Sequence, residues 1–275
     1  FTPGYFELPI KTGESVVFSA SLKEEKTNTL LKSFEKELSA RPPKNSFINC
    51  LKNSATQFIV QQGKDTEVIA GYPWFGRWGR DTFISLPGLT LAGNYDPESC
   101  KAVLDTMSRE VNNGLFPNIG KNENAAYNSV DAPMWYFWAI QKYAEATQNT
   151  EEVWKSYGKK MKAVLQAFRD GINENILVHG NGLIWALQAG KALTWMDAVV
   201  NGEPVTQRGG YVVEINALWY NAIKFTLELA HTYGDKKFIK EWEALPSKIE
   251  ESFINTFWNE EVGYLADYVD YQGHN

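Results

Sequence analysis

The chain carries helical hydrophobic periodicity of two kinds, and the two kinds alternate. Cys100, Val103, Leu104, Met107 and Val111 recur on a single stripe, as do Val153, Tyr157, Met161, Val164, Leu165 and Phe168, and then Phe238, Trp242, Leu245, Ile249 and Phe253. A stripe at the 3.6-residue period predicts a helix with one buried side. Segments 82–93 (TFISLPGLTLAG), 130–144 (VDAPMWYFWAIQKYA) and 213–230 (VEINALWYNAIKFTLELA) are apolar nearly all round, which predicts interior helices. Ahead of these, a helix is expected through Phe47, Ile48, Leu51, Ala55 and Phe58, and a more polar one from about Ser19 to Ala40.

The connections are asymmetric. Each interior helix passes to the next outer one through a short turn: NYD at 94–96, QNT at 148–150 and YGD at 233–235. Short turns make antiparallel neighbours. Each return runs through a long segment rich in Gly, Asn, Trp and Tyr: 59–80, 112–126 and 171–211. Because helix direction alternates, all three long loops gather on one rim, where the interior helices begin, and long loops in compact domains usually carry function. The pattern predicts an all-α double ring of helical hairpins, an α/α toroid. Small β-hairpins, QFIVQ with EVIAG and NILVHG with GLIWAL, are expected in two of the long loops.

Composition narrows the partners. A net charge of -6 over 275 residues, with no basic stripe, disfavours nucleic acid and suits an uncharged ligand. Aromatic residues reach 14%, with ten tryptophans; flat aromatic faces stack on the C–H faces of sugars, although filling a core accounts for most of them. Cys50 and Cys100 have no disulfide or metal spacing and read as buried thiols, and His179, His231 and His274 lie far apart, so neither metal nor cofactor is expected. No apolar run reaches the roughly 20 residues of a membrane span, and no leader pattern is visible, which points to a cytoplasmic location and no membrane partner. Residues 1–20 read as a strand-rich linker from a preceding domain.

The rim carries four acids. Asp81 follows Arg80 at a helix start, with Tyr72, Trp74 and Trp78 just upstream. As a plain structural feature Asp81 is a cap or first-turn acid; beside Arg80 and stacking rings it is also part of a clamp for sugar hydroxyls. Tyr127, Asn128 and Asp131 stand before the next interior helix, where Ser129 or Asn128 can serve as cap. Asp197 lies among Trp195, Met196 and Ala198 with no basic neighbour in sequence, and an acid in apolar surroundings is pushed toward its protonated form, as a general acid requires. Glu214 sits in the first turn of the third interior helix. Glycoside hydrolysis uses two carboxylates, roughly 6.5–9.5 Å apart for inversion or about 5–5.5 Å for retention. Asp197 with Glu214, and Asp81 with Asp197, are both open as pairs.

Several motifs in order, GRDTFISLPGLTLAGNY, NNGLFPNIG, AAYNSVDAPMWYFWAIQKY, TWMDA and VEINALWYNAI, closely resemble the amylo-α-1,6-glucosidase domain of glycogen debranching enzymes. The match runs from about residue 70 to 265. The resemblance implies an (α/α)6 toroid, shared with glucoamylases, trehalases and neutral invertases, and inverting hydrolysis of α-1,6-linked glucose at branch points of glycogen or a related α-glucan. It implies Asp197 as general acid and Arg80 and Asp81 as grips on the glucose hydroxyls. Trp78, Tyr127, Asn128, Asp131, Trp195 and Glu214 would line the same subsite. One departure stands out: about seven of the twelve ring helices are found, and the family's base, a glutamate, comes from the later part of the ring. Residues 21–275 are therefore expected to be the N-terminal part of the catalytic domain, with exposed interior faces and negligible activity until the rest of the polypeptide completes the ring. The alternatives are a trehalase- or invertase-like glycosidase on the same toroid, and a non-catalytic glucan-binding module.

Overall fold

The helices form where the apolar stripes place them. In the computed structural model, which describes residues 4–21 and 23–270, α1 spans Leu30–Ala40, α2 Phe47–Gln57, α3 Gly79–Pro87, α4 Pro97–Ser108, α5 Ala132–Thr147, α6 Thr150–Asp170, α7 Val213–Tyr233, α8 Lys236–Trp242 and α9 Leu245–Phe257. The first three residues of the expected linker, and His274, lie outside the described residues. The chain divides into two compact units at Ser54 and Ala55.

In the first unit no strand forms among the described residues up to Lys26, in contrast to the strand-rich reading of this segment. The polar helix begins at Leu30 after one 3-10 turn, Thr27–Thr29, and not near Ser19. Residues 23–28 (KEEKTN) have no apolar side chain to bury, and a short helix without a packed face is marginal in water. Phe47, Ile48 and Leu51 of α2 are exposed, and Cys50 is half-buried, where a buried thiol was expected.

In the second unit α3, α5 and α7 are the interior helices. α5 packs against both α3 and α7; α4 touches α3 and α5, and α6 touches α5 and α7. The three short turns share one device. Asp96, Asn149 and Asp235 each accept a hydrogen bond from the amide three residues on, Ser99 (3.0 Å), Glu152 (3.1 Å) and Phe238 (3.1 Å). Such side-chain caps satisfy amides that have no partner within the helix and fix where each outer helix starts. Left-handed backbone at Gln148 (φ 53) and Gly234 (φ 73) ends α5 and α7. The expected third outer helix is two helices, α8 and α9, with Pro246 in the first turn of α9. A proline there lacks an N–H, and its ring would clash with the Trp242 carbonyl in a continuous helix. Pro87 acts similarly at the end of α3, where residues 88–92 continue in wider, π-type turns.

The core is aromatic at its centre. Phe83 of α3, Phe116 and Tyr136 of α5 meet with ring centroids 4.7–5.4 Å apart. The Tyr136 hydroxyl is paired with Ser108 Oγ at 2.8 Å, so the buried ring leaves no polar atom unsatisfied there. Trp219 of α7 packs against Phe168 and Trp242 and donates from Nε1 to the Gly182 carbonyl at 3.1 Å. Some apolar surface stays accessible: Ile84 is 40% exposed, and a groove of about 210 Å³ between α7 and α9 is lined by Ala217, Tyr220, Ile249, Phe253 and Ile254, with Glu250 the one charged residue in its lining.

The strands are short. β1 (Ile59–Gln62) and β2 (Asp65–Val68) make the first expected hairpin, with Ile59 opposite Val68. β3 (Ile176–Val178) and β4 (Ile184–Ala186) make the second. β5 (Val199–Val200) pairs with β6 (Glu203–Pro204), and β8 (Trp258–Asn259) with β9 (Tyr264–Leu265). The second hairpin does not stand alone: β7 (Gly210–Val212) and β10 (Tyr268–Val269) extend it to a four-stranded antiparallel sheet of order β10-β7-β4-β3. Gly210 is required in it, since φ is +112 and a Cβ would fall 2.4 Å from the Val269 carbonyl oxygen. Asn216 of α7 docks the sheet, accepting from Ile184 N at 2.7 Å and donating to the Ile184 and Val212 carbonyls at 3.0 Å.

Candidate functional site

The long loops are stitched together where the interior helices begin. Gly79 N donates to the Asn118 carbonyl at 2.9 Å, and Trp78 bridges to Ile119, joining the first loop to the second. Gly79 is needed for this approach, because a Cβ there would lie 2.4 Å from the Pro117 oxygen. Val130 N donates to the Leu193 carbonyl at 2.9 Å, joining the second loop to the third.

Arg80 is the hub. Its side chain is 8% exposed and uses all three nitrogens: Nε donates to Asp131 Oδ2 at 2.6 Å, Nη1 to Asp197 Oδ2 at 2.8 Å and Nη2 to Ser129 Oγ at 3.3 Å. Burial works against the guanidinium charge, but the bonds and charges of Asp131 and Asp197 outweigh it and raise the Arg80 pKa. Asp131 is 1% exposed, and Ser129 Oγ donates to its second oxygen. Both Asp131 oxygens are therefore spent on protein groups. Asp197 differs: its side chain is 34% exposed, and Oδ1 accepts no hydrogen bond from the described residues. The apolar surroundings read from its sequence neighbours are not what it meets, since Arg80 reaches it across 117 residues.

None of the three acids at the interior helix starts caps its helix. Asp131 stands at the cap position without a capping bond, and Ser129 Oγ instead accepts from Ala132 N at 3.2 Å. Asp81 is exposed, with no hydrogen bond to its carboxylate among the described residues, and shares with Arg80, Phe58, Ile69, Ile84 and Ser85 a cavity of about 310 Å³. Glu214 is held by a residue the sequence reading passed over. Arg208, 1% exposed, donates to both Glu214 oxygens (2.6 and 2.7 Å), to both Asp267 oxygens (2.7 and 2.6 Å) and to Thr194 Oγ1 (3.3 Å). Its pKa is raised although burial opposes the charge, because two carboxylates face it. The sequence did carry a signal: like Arg80 in the first turn of α3, Arg208 in TQRGGYVVE stands near the start of an interior helix.

The remaining rim residues are scattered in role. Trp195 is 54% exposed, two residues from Asp197. Trp78 is half-buried and meets Phe75 edge-on at 6.0 Å. Tyr127 is half-buried against the core and spends its hydroxyl on the Glu110 carbonyl at 3.2 Å. Asn128 Oδ1 and Asn118 Oδ1 are buried with no hydrogen-bond partner among the described residues. A second ion network, also missed in the sequence, fastens the first loop: Arg77 bonds Glu67 at 3.1 Å and Glu110, and Lys121 bonds Glu67. Among the described residues no group of His, Cys, Asp and Glu has the arrangement of a metal site, and no helix is long and apolar enough to cross a membrane.

Partly open carboxylates and exposed aromatic faces, with the arginines already neutralised, suit an uncharged, hydroxyl-rich ligand. Residues 53–275 match the family described as amylo-alpha-1,6-glucosidase, and the chain belongs to that family. It is similar to the glycogen debranching enzyme of Saccharomyces cerevisiae, with 26% identity over 253 residues, covering 66% of this chain and 16% of that relative.

Proposed function

We propose that this chain carries the acid half of a glycoside hydrolase site that releases α-1,6-linked glucose from the branch points of glycogen or a similar branched α-glucan. Asp197 is the general acid, and the supporting observation is that Arg80 grips Oδ2 alone. The carboxyl is thereby oriented with Oδ1 free to carry a proton toward the glycosidic oxygen. Asp131 acts through Arg80 and not on glucose, since its oxygens are already engaged. Asp81, Asn128 and the rings of Trp78 and Trp195 are assigned to the sugar, and Arg208 holds Glu214 at its edge. Tyr127 lines the loop from behind.

The helices α3, α5 and α7, with α4, α6 and α8–α9 around them, are read as consecutive hairpins of an (α/α)6 toroid. Inversion is the expected outcome, with a base that activates water from across the ring; no residue of this chain is assigned that part. The family match and the debranching relative support the substrate class. The test is glucose release from limit dextrin, isomaltose, trehalose and sucrose, by this chain and by a polypeptide extended through further ring helices, with the anomer of the first product read by NMR. Release from limit dextrin as β-glucose, by the extended polypeptide only, is the expected result. Preference for trehalose or sucrose would reassign the substrate, and binding without turnover in both would make the rim a glucan-binding surface.

A further inference from the structure

The loop Gly71–Gly76, with sequence GYPWFG, presents more aromatic surface to solvent than the site around Asp197 uses. Trp74 is 84% exposed, Tyr72 58% and Phe75 54%. An exposed tryptophan on a floppy loop would mean little, but this loop is fastened at every side. Phe75 N donates to the Gly71 carbonyl at 3.0 Å and Ala70 N to the Gly76 carbonyl at 2.9 Å, closing it into a narrow hairpin. The Tyr72 hydroxyl donates to the Gln57 carbonyl at 2.6 Å, and its ring leans on Phe58 with centroids 6.0 Å apart. Phe75 rests edge-on against Trp78. The next residue, Arg77, is clamped by the buried Glu67 and by Glu110. Among the described residues, the Trp74 ring has no ring partner or polar contact.

We infer that this loop is a second carbohydrate contact, a stacking platform for the linear α-1,4-linked chain of the same glucan. The inference rests on the glucan reading of the site. Three features select that occupant. The loop is uncharged from Gly71 to Gly76, and Arg77 behind it is neutralised, so neither phosphate nor a charged peptide has a partner there. The backbone that carries Trp74 is fixed before any ligand arrives, which limits the ordering cost of stacking to one side chain. It is also close to the site: Trp74 lies six positions before Arg80, at most about 22 Å of extended chain. A glucan whose terminal glucose lies against Arg80 and Asp197 would extend along a short run of sugar rings to reach Trp74.

The experiment is titration of maltoheptaose, a linear α-1,4 chain with no branch, into the full chain and into Trp74→Ala and Trp74→Phe, with Lys155→Ala, on the solvent face of α6, as control. Trp74→Ala is expected to weaken binding roughly tenfold, the loss of one aromatic stacking contact, and Trp74→Phe to recover most of it. Thermal melts should be unchanged, because the Trp74 side chain supports nothing else. Unchanged affinity in Trp74→Ala, or no maltoheptaose binding by the parent chain, overturns the platform. So does a change of oligomeric state with affinity intact, which would make the loop a protein contact. The site reading fails separately: if Trp74→Ala loses binding while Asp197→Asn in the extended polypeptide still hydrolyses branch points, the platform stands and the acid assignment falls.

Discussion

Asp131 and Asp197 bond the same guanidinium, yet replacing them with alanine should have very different consequences for stability. Asp131→Ala removes a carboxylate that is 1% exposed and leaves Arg80, 8% exposed, with a buried unpaired Nε. Breaking a buried ion pair from one side costs about 3–5 kcal/mol, because the remaining charge stays desolvated. Asp197→Ala removes a partner that is 34% exposed while Asp131 and Ser129 continue to hold Arg80. An ion pair of that exposure is worth about 0–1 kcal/mol. At roughly 2–4 °C per kcal/mol for a domain of this size, Asp131→Ala should melt about 6–20 °C below the parent and Asp197→Ala within about 4 °C. The assay is thermal unfolding followed by near-UV circular dichroism, repeated in urea. Replacing the pair together, Arg80→Met with Asp131→Met, should recover part of the loss, since no buried charge is left orphaned and Asp197, which loses Arg80, is 34% exposed. Equal destabilisation by Asp131→Ala and Asp197→Ala would refute the division into a structural and a working carboxylate.

Burial pushes the Cys100 thiol up to about 11, with Asp96 adding to the shift and a Thr90 contact opposing it. A thiol reagent at pH 8 should therefore label no more than one cysteine, Cys50, in the folded chain and both in urea; two fast thiols would contradict the packing of α4. Gly79→Ala drives a Cβ to 2.4 Å from the Pro117 oxygen and should cost about 1–3 kcal/mol, read as a lower urea midpoint with an unchanged slope. Asp235 both caps α8 and meets Lys162, and the lysine bond holds its pKa below the ordinary carboxylate value. A folded-state pKa below the unfolded one means the contribution is present above about pH 4 and is lost on further acidification. Asp235→Ala should cost about 1–2 kcal/mol at pH 7 and progressively less below pH 4; a deficit that does not shrink in acid would show that the charge is irrelevant.

What the sequence disclosed was periodic or local. The apolar stripes of α4 and α6 and the all-round apolar character of α5 and α7 place these helices to within a few residues, and the lengths of the connections put three loops on one rim. Pro246 and Pro87 were readable as helix breaks, yet the stripe through Phe238 and Phe253 outweighed the first. The polar helix was drawn too long because charge pattern alone resembles an exposed helix. The four-stranded sheet stayed hidden because β7 and β10 are only three and two residues long and pair across more than fifty residues. The same distance hid the ion networks: Arg208 meets Asp267 across 59 residues, and Arg80 meets Asp197 across 117. Judged by its sequence neighbours, Asp197 stood in an apolar setting; in the fold it faces an arginine on one oxygen and solvent on its other side.

The proposed role of Asp197 is to deliver the proton from its free oxygen. The most direct measurement is the rate of glucose release from limit dextrin by Asp197→Asn beside the parent sequence, both in a polypeptide extended past residue 275, with glucan affinity measured on the same samples. Loss of a general acid predicts a fall of roughly 10²–10⁴-fold in turnover with affinity little changed. Turnover within a few-fold of the parent would contradict the account, whatever the fold around Asp197 turns out to bind.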